Sequence, residues 1–338
     1  MFLTIKNKKI CLFLAIIAIF LAINTLFTKD IKADEVGFSA SIIQEKHQTN
    51  KKLTYWSLNL DGDKEIKLKL HISNADKENT FEITSNQAIT NKNLVIDYGL
   101  DKKTTEKALN KKPSFDFYSD VLLGKNKEKG KTVLTLKPNQ SIDFPIIVKV
   151  PNGKIKDMQI GGINITRQPT PEEKQKSIVN VYNYAFALVL EGEKKENDPK
   201  FEIELGKLTA KSQKIFLENP TPAVAIDTSI MAIIKDEDGK EYSKVTLKNG
   251  TLVPNAKVEI ELLSSTILRN NQEYLLEVTT KEEKKQTKET FKLFVDNVGK
   301  ITAKKENNRI FLTVGLSLFL LLIVTFILVH KKMKKQKK

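Results

Sequence analysis

Residues 64–74 read Lys-Glu-Ile-Lys-Leu-Lys-Leu-His-Ile-Ser-Asn, and the alternation in this stretch decides the fold. Ile66, Leu68, Leu70 and Ile72 recur at every second position, so an extended chain places all four on one face and the lysines on the other. A helix would scatter them around its circumference. The stretch is therefore a half-buried strand of an antiparallel sheet that keeps one face in solvent.

The same period runs outward in both directions. Val36, Phe38, Ala40 and Ile42 share one face of a preceding strand, and Leu60-Asp-Gly-Asp63 supplies a turn. Further strands are predicted at 53–60, 80–89, 94–98, 132–136, 141–150, 160–166 and 178–190, with no helix longer than two turns. Gly192-Glu-Lys-Lys-Glu-Asn-Asp-Pro199 is polar and ends in proline, and marks a linker. Beyond it, strands are predicted at 201–208, 214–218, 223–235, 240–247, 256–263, 274–280 and 290–295. Seven short strands in about a hundred residues predict an immunoglobulin-like sandwich. The expected fold is all-β: two immunoglobulin-like β-sandwich domains in tandem, at 34–191 and 200–297, plus one C-terminal transmembrane helix. The Lys- and Asn-rich stretch 101–131 is expected to protrude from the first domain as an insertion, the kind of loop on which binding is often carried.

The ends of the chain read as addresses. Lys6, Lys8 and Lys9 precede an apolar stretch from Ile10 to Phe27 that closes at Ile31-Lys-Ala33, the pattern of a secretory signal over 1–33. Ile310 to Val329 is an uninterrupted apolar run whose only side-chain polar atoms are on Thr313, Ser317 and Thr325. Twenty helical residues span about 30 Å, the thickness of a bilayer core. Six lysines follow it within 330–338 and predict a cytoplasmic basic tail, so 34–309 is expected outside the cell, with 298–309 as a polar stalk. No sortase-type Leu-Pro-x-Thr-Gly motif precedes the run, which makes the membrane itself the expected anchor.

Charge and cysteine narrow the class. The formal charge of the chain is +15, yet 34–309 holds 45 basic against 40 acidic residues, and much of the excess lies in the signal and the tail. A nucleic-acid partner is therefore not expected. The one cysteine, Cys11, lies in the signal, so the exported chain cannot form a disulfide and depends on its cores. Together with abundant Lys, Asn and Ile, this reads as a Gram-positive-like bacterial surface protein.

Catalytic chemistry is poorly served. Outside the signal and tail there are two histidines, His47 and His71, and no cysteine, which leaves no nucleophile–base pair and no zinc spacing. Both histidines are expected at the surface, His71 because it alternates with core-facing Leu70 and Ile72. Asp236-Glu-Asp-Gly239 imitates part of a calcium loop, but a hairpin turn between two strands explains it better. No enzyme activity, metal or cofactor is expected. Aromatic residues gather at Tyr55-Trp56 and around Tyr98, Phe115, Phe117 and Tyr118. On a strand Tyr55 and Trp56 face opposite sides, so one is expected in the core and the other available for contact.

Several segments in sequence resemble the WxL-interacting proteins, two-domain membrane proteins of Gram-positive bacteria. These are Phe38–Asn50 with Leu53-Thr-Tyr-Trp-Ser-Leu-Asn-Leu60 and the strand ending at Asn74; Ala88-Ile-Thr-Asn-Lys-Asn-Leu-Val-Ile-Asp-Tyr98; and Gly161-Gly-Ile-Asn-Ile165. Leu217-Glu-Asn-Pro220 and Val253-Pro-Asn-Ala256 continue the order in the second half. One departure is Gln44-Glu-Lys-His-Gln-Thr-Asn50, where the family often carries a proline followed by Asn-Gln. The resemblance implies a non-catalytic scaffold: a first domain associated with peptidoglycan and with secreted WxL-domain proteins, and a second implicated in contacts with host matrix proteins. Trp56, Asn91, Asp97 and Tyr98 are the candidate partner-binding residues, because they lie in the resembling stretches and carry contact-forming groups. An export chaperone that uses exposed sheet edges is the competing expectation.

Overall fold

The computed structural model describes residues 37–306 apart from 61, 76, 194–197 and 283–284. The expected signal at 1–33, the apolar run at 310–329 and the tail at 330–338 lie outside the described residues. Among those described, no helix is long and apolar enough to cross a membrane.

The chain is all-β. Its first half runs β1 (Phe38–Ile43), β2 (Trp56–Leu58), β3 (Glu65–Asn74), β4 (Asn79–Gln87), β5 (Ile89–Thr90), β6 (Ile96–Asp97), the short helix α1 (Lys102–Lys107), β7 (Val121–Leu123), β8 (Glu128–Lys129), β9 (Lys131–Leu136), β10 (Ser141–Lys149), β11 (Gln159–Arg167) and β12 (Asn183–Leu190). Two five-stranded sheets result, ordered β1-β3-β10-β7-β8 and β2-β12-β11-β4-β9. The opening alternation holds: Ile66, Leu68, Leu70 and Ile72 are buried, and they share a core with Phe81 and Ile83 of β4, Ile163 and Ile165 of β11, and Leu188 and Leu190 of β12. Each such side chain contributes about 1.5–3 kcal/mol on leaving water, which is how a chain without disulfides holds this half together.

Asn74 ends β3 and closes the sandwich at one end. Its side chain is buried and donates to the carbonyls of Lys77, Leu136 and Lys137, while its oxygen accepts from Asn79. Asn74→Ala strands these buried partners and is expected to cost about 2–4 kcal/mol, read as a lower urea midpoint with unchanged slope.

The second half contains β13 (Glu202–Leu208), β14 (Ser212–Glu218), β15 (Ala225–Lys235), β16 (Glu241–Leu252), β17 (Lys257–Leu263), β18 (Gln272–Glu282), β19 (Lys285–Val295) and β20 (Ile301–Lys305). They form sheets β13-β14-β17 and β16-β15-β18-β19-β20 around a second core. Asp236-Glu-Asp-Gly239 is a tight turn joining β15 to β16: Asp236 accepts from Gly239 N and Lys240 N, and Gly239 takes φ +82°.

Three expectations are corrected. The stretch 298–309 is not simply a stalk, since β20 adds to the sheet edge, with Ile301 packed on the second core and Lys305 paired with Glu289. His47 is buried rather than at the surface, its ring nitrogens 2.7 Å from Glu45 Oε2 and 2.8 Å from Asp63 Oδ2. His71 does face outward, beside Asp143. Finally, 101–131 does not protrude. Phe115 and Phe117 are fully buried in the first core, 4.8 Å apart and edge to face, and β7 joins the first sheet. Leu109 bridges Ala256, with Asn110 N donating to Asn255 O and Lys257 N to Ala108 O. A few apolar anchors at intervals outweigh the many lysines around them.

The two cores meet through the hairpin of β5 and β6. Ala88, Leu94 and Ile160 come from the first half but belong to the second core. The Thr90 hydroxyl donates to Thr251 O at 3.0 Å and accepts from Val253 N at 3.0 Å, and Thr251 N donates to Leu94 O at 2.7 Å. Leu94 sits against Gly250, where a Cβ would come within 2.1 Å of the Leu94 Cβ.

Candidate glycan-binding groove

β11 carries Gly161 and Gly162 side by side, and alternation sends their missing side chains to opposite faces. A Cβ on Gly161 would meet the Phe117 ring at 2.2 Å, inside the core; one on Gly162 would meet the Tyr98 ring at 2.5 Å, on the outer face. The two glycines are thus the seats of two aromatic rings, which is the physical content of the Gly-Gly-Ile motif. Ser85 of β4 holds the loop behind them, its hydroxyl donating to Phe117 O at 2.8 Å and its backbone N–H donating to Gly130 O at 2.9 Å.

Seated this way, the loop after β6 becomes one wall of a groove across the outer face of the second sheet. Asn86 and Asn164 each donate to Tyr98 O at 2.8 Å and pin the wall to the sheet, and within the wall Asp97 accepts from Gly99 N at 2.7 Å. The floor is the outer row of β4, β11 and β12, carrying Thr84, Asn86, Thr166 and Asn183, with Asn164 among them but buried under the loop it binds. Tyr118 forms the opposite wall, lying against Gly130, whose φ of +68° and lack of a Cβ allow the ring to pass at 2.1 Å from where one would stand. The groove is open to solvent and offers about 320 Å³ of water-accessible space.

The chemistry of the groove is amide and hydroxyl, and the charges lining it balance, Glu82 and Asp101 against Lys102 and Lys131, with Asp101 spent on capping α1 through Thr104. Glu82 meets Lys131 at 2.5 Å and Lys102 meets Asp116 at 2.5 Å, the Lys102 ammonium standing 5.7 Å from the Tyr118 ring centre. Burial pushes the Asp116 carboxyl up, but Lys102, the backbone N–H of Tyr118 and the Ser119 hydroxyl together hold it below the ordinary aspartate value of 3.8. A depressed folded value means that the Lys102–Asp116 link is complete above that pH and is lost as the pH falls below it. An NMR titration of the Asp116 carboxyl is expected to give a midpoint below 3.8, and Lys102→Ala should raise it. Neutral donors and acceptors beside an exposed aromatic ring can hold a polyhydroxylated, amide-bearing chain such as a glycan.

The candidate residues named above fall in different places. Trp56 is fully buried, its indole N–H reaching Ile43 O at 3.4 Å, so it is a core residue in this fold; Tyr55 is the exposed member of the pair. Asn91 closes the β5–β6 turn by accepting from Asn93 N and Val95 N. Asp97 and Tyr98 build the groove wall. Burial, and then the neighbouring Tyr55, push the Tyr98 phenol above its ordinary value. Asn86, Asn164, Asn183 and Tyr118 were missed as a group, because nothing in a strand's alternation says which strands lie beside it.

Residues 38–167 match the family model of the WxL Interacting Protein, peptidoglycan binding domain. The match takes in both walls and most of the floor of the groove, and it bears out the resemblance of the first half to the WxL-interacting proteins. No curated protein matches the chain. Similar solved structures include the Pseudomonas aeruginosa CupB2 chaperone, at 13% identity over 72% of this chain and 92% of that one with a TM-score of 0.28. Others are the CsuC–CsuE chaperone–tip adhesion subunit pre-assembly complex of Acinetobacter baumannii, at 11% over 69% and 93% with a TM-score of 0.34, and the E. coli chaperone DraB, at 13% over 74% and 96% with a TM-score of 0.29. A likeness this distant carries no functional argument.

Proposed function

We propose that the protein binds peptidoglycan through the groove on the first half and serves as a non-catalytic scaffold at a Gram-positive cell surface. The observation that supports this most directly is the neutral, amide- and hydroxyl-lined groove beside Tyr118, within the segment that matches a peptidoglycan-binding family. In this reading Asn86, Asn183 and Tyr118 contact the glycan, Asn164, Asp97 and Tyr98 hold the wall, and Asn91 and Trp56 maintain the surrounding fold. The chain is exported by 1–33, folds as two immunoglobulin-like sandwiches at 34–191 and 200–297 with 192–199 between them, and is retained by the span at 310–329. A secreted WxL-domain protein is the partner it keeps at the wall, and the second half faces a host matrix protein.

The test is cosedimentation of the full chain with purified sacculi. The wild type is expected to pellet, Tyr118→Ala to bind about tenfold more weakly through loss of the aromatic contact, and Lys67→Ala, on the far sheet, to bind normally. A wild type that stays in the supernatant would sink the reading.

The export-chaperone alternative has one observation of its own in its favour. β1 reads Phe-Ser-Ala-Ser-Ile-Ile, has a neighbour on one side only, and carries neither charge nor proline, the usual protections of an edge. This reading requires weak binding to many unfolded exported chains; a long-lived complex with one folded WxL protein would contradict it.

A further inference from the structure

Beside the groove, between α1 and the end of β4, lies a second cavity, partly open to solvent and with about 40 Å³ of water-accessible space, that shares Asn86, Leu100, Lys102 and Tyr118 with it. Its lining is largely apolar, including Leu109, Pro113 and Phe115. Two of its residues carry buried polar atoms that find no partner among the described residues, Gln87 Oε1 and Thr105 Oγ1. Thr105 is only 3% exposed. The Gln87 amide cannot be reversed to relieve this, because its nitrogen already donates to Ile160 O at 2.7 Å, which leaves its oxygen as an acceptor in want of an N–H or O–H. The Thr105 hydroxyl can donate or accept, and the two atoms do not bond each other.

A buried polar atom without a partner costs about 1–3 kcal/mol, so the pair describes what would fill the cavity well. The occupant brings one N–H donor, one carbonyl acceptor and a small apolar end, and it is neutral, because the charges of the lining, Lys102 and Lys112 against Glu106 and Asp116, balance, with Lys102 paired to Asp116. That is a secondary amide with a short acyl group. Resting on the groove reading above, we propose that this cavity takes the acetamido group of an N-acetylated amino sugar whose ring lies in the groove. The N–H meets Gln87 Oε1, the carbonyl accepts from the Thr105 hydroxyl, and the methyl faces Leu109, Pro113 and Phe115. The position of the cavity at the edge of the groove, with Tyr118 common to both, lets one sugar reach both spaces.

The experiment measures binding of the full chain to four probes: purified peptidoglycan, the N-acetylglucosamine tetrasaccharide, the glucose tetrasaccharide with a hydroxyl in place of each acetamido group, and the free stem peptide, which offers secondary amides without sugar. Peptidoglycan is expected to bind, and the acetylated tetrasaccharide to bind at least about tenfold more tightly than its glucose counterpart, as expected of a site whose buried polar groups need the ligand's amide. The near-isosteric Thr105→Val is expected to weaken the acetylated probe by about five- to tenfold, the worth of one hydrogen bond, and to leave the glucose probe unchanged. Equal affinity for both tetrasaccharides, or competition by the stem peptide alone, with peptidoglycan still bound, overturns the acetamido site and spares the groove. Loss of peptidoglycan binding in the wild type overturns the groove reading itself. The wild-type comparison needs no variant to fold.

Discussion

Gly161→Val is expected to be the most destabilising small substitution in the first half, costing about 3 kcal/mol or more and lowering its melting temperature by roughly 6–12 °C. The first atom of the new side chain would already stand 2.2 Å from Phe117 Cδ1 and 2.4 Å from Cγ. Phe117 cannot retreat, being fully buried, edge to face with Phe115, and held through its backbone by Ser85. Close-packed interiors accommodate such an intrusion only by moving backbone or forcing side chains off their rotamers. Gly162→Ala makes the informative comparison. Its Cβ would meet Tyr98 at 2.5 Å, but that ring lies on the outer face and is only partly buried, so it can swing aside at lower cost. Gly162→Ala should therefore lower stability less than Gly161→Ala, while loosening the groove wall and weakening sugar binding. Thermal unfolding of the three variants checks both expectations, and a Gly161→Val protein as stable as the wild type would falsify the packing account.

Leu94→Asp is expected to uncouple the two halves. Leu94 is buried in the second core although it belongs to the first half, and its backbone takes φ 59°, a region that a leucine adopts only where the surroundings enforce it. A carboxylate at this position must either be buried without a partner, at a cost of several kcal/mol, or leave. Leaving means undocking the β5–β6 hairpin, with loss of the Thr90–Thr251, Thr90–Val253 and Leu94–Thr251 hydrogen bonds. The bridge at Leu109–Ala256 and the packing of Met158, Ile160 and Val189 on the second core then remain between the halves. Calorimetry is expected to resolve two transitions where the wild type gives one, with a larger radius of gyration in solution scattering. A single transition at an unchanged temperature would mean that the junction contributes little.

The same hairpin explains why the candidate residues were only partly legible. Its stretch, 88–98, stands out in the sequence, and Asn91, Asp97 and Tyr98 carry the polar and aromatic groups that binding uses. In the fold those groups are spent on holding a turn, a wall and a junction. Trp56 went the other way because Tyr55 stands just outside β2, whose three residues are all buried, so the expected alternation does not operate there. The groove amides of Asn86, Asn164 and Asn183 were visible individually as polar positions in alternating strands, but their neighbourhood depends on the pairing of β4 and β12 with β11.

By itself the sequence determined the elements. Burial at every second residue is a local property of an extended chain, so 66–72 and 81–83 declared their strands and their inward faces without reference to anything distant. It also determined the turn at 236–239, the absence of disulfides outside the first 33 residues, and the resemblance of the first half to the WxL-interacting proteins. Only the tertiary structure decided that 101–131 folds inward, that His47 is buried between two carboxylates, that 301–305 extends a sheet, and that one hairpin joins two cores. Each of these depends on contacts between residues far apart in the chain. The free energy of such a contact is set by what the other partner presents, and an alternating pattern specifies a face without naming the surface it will meet.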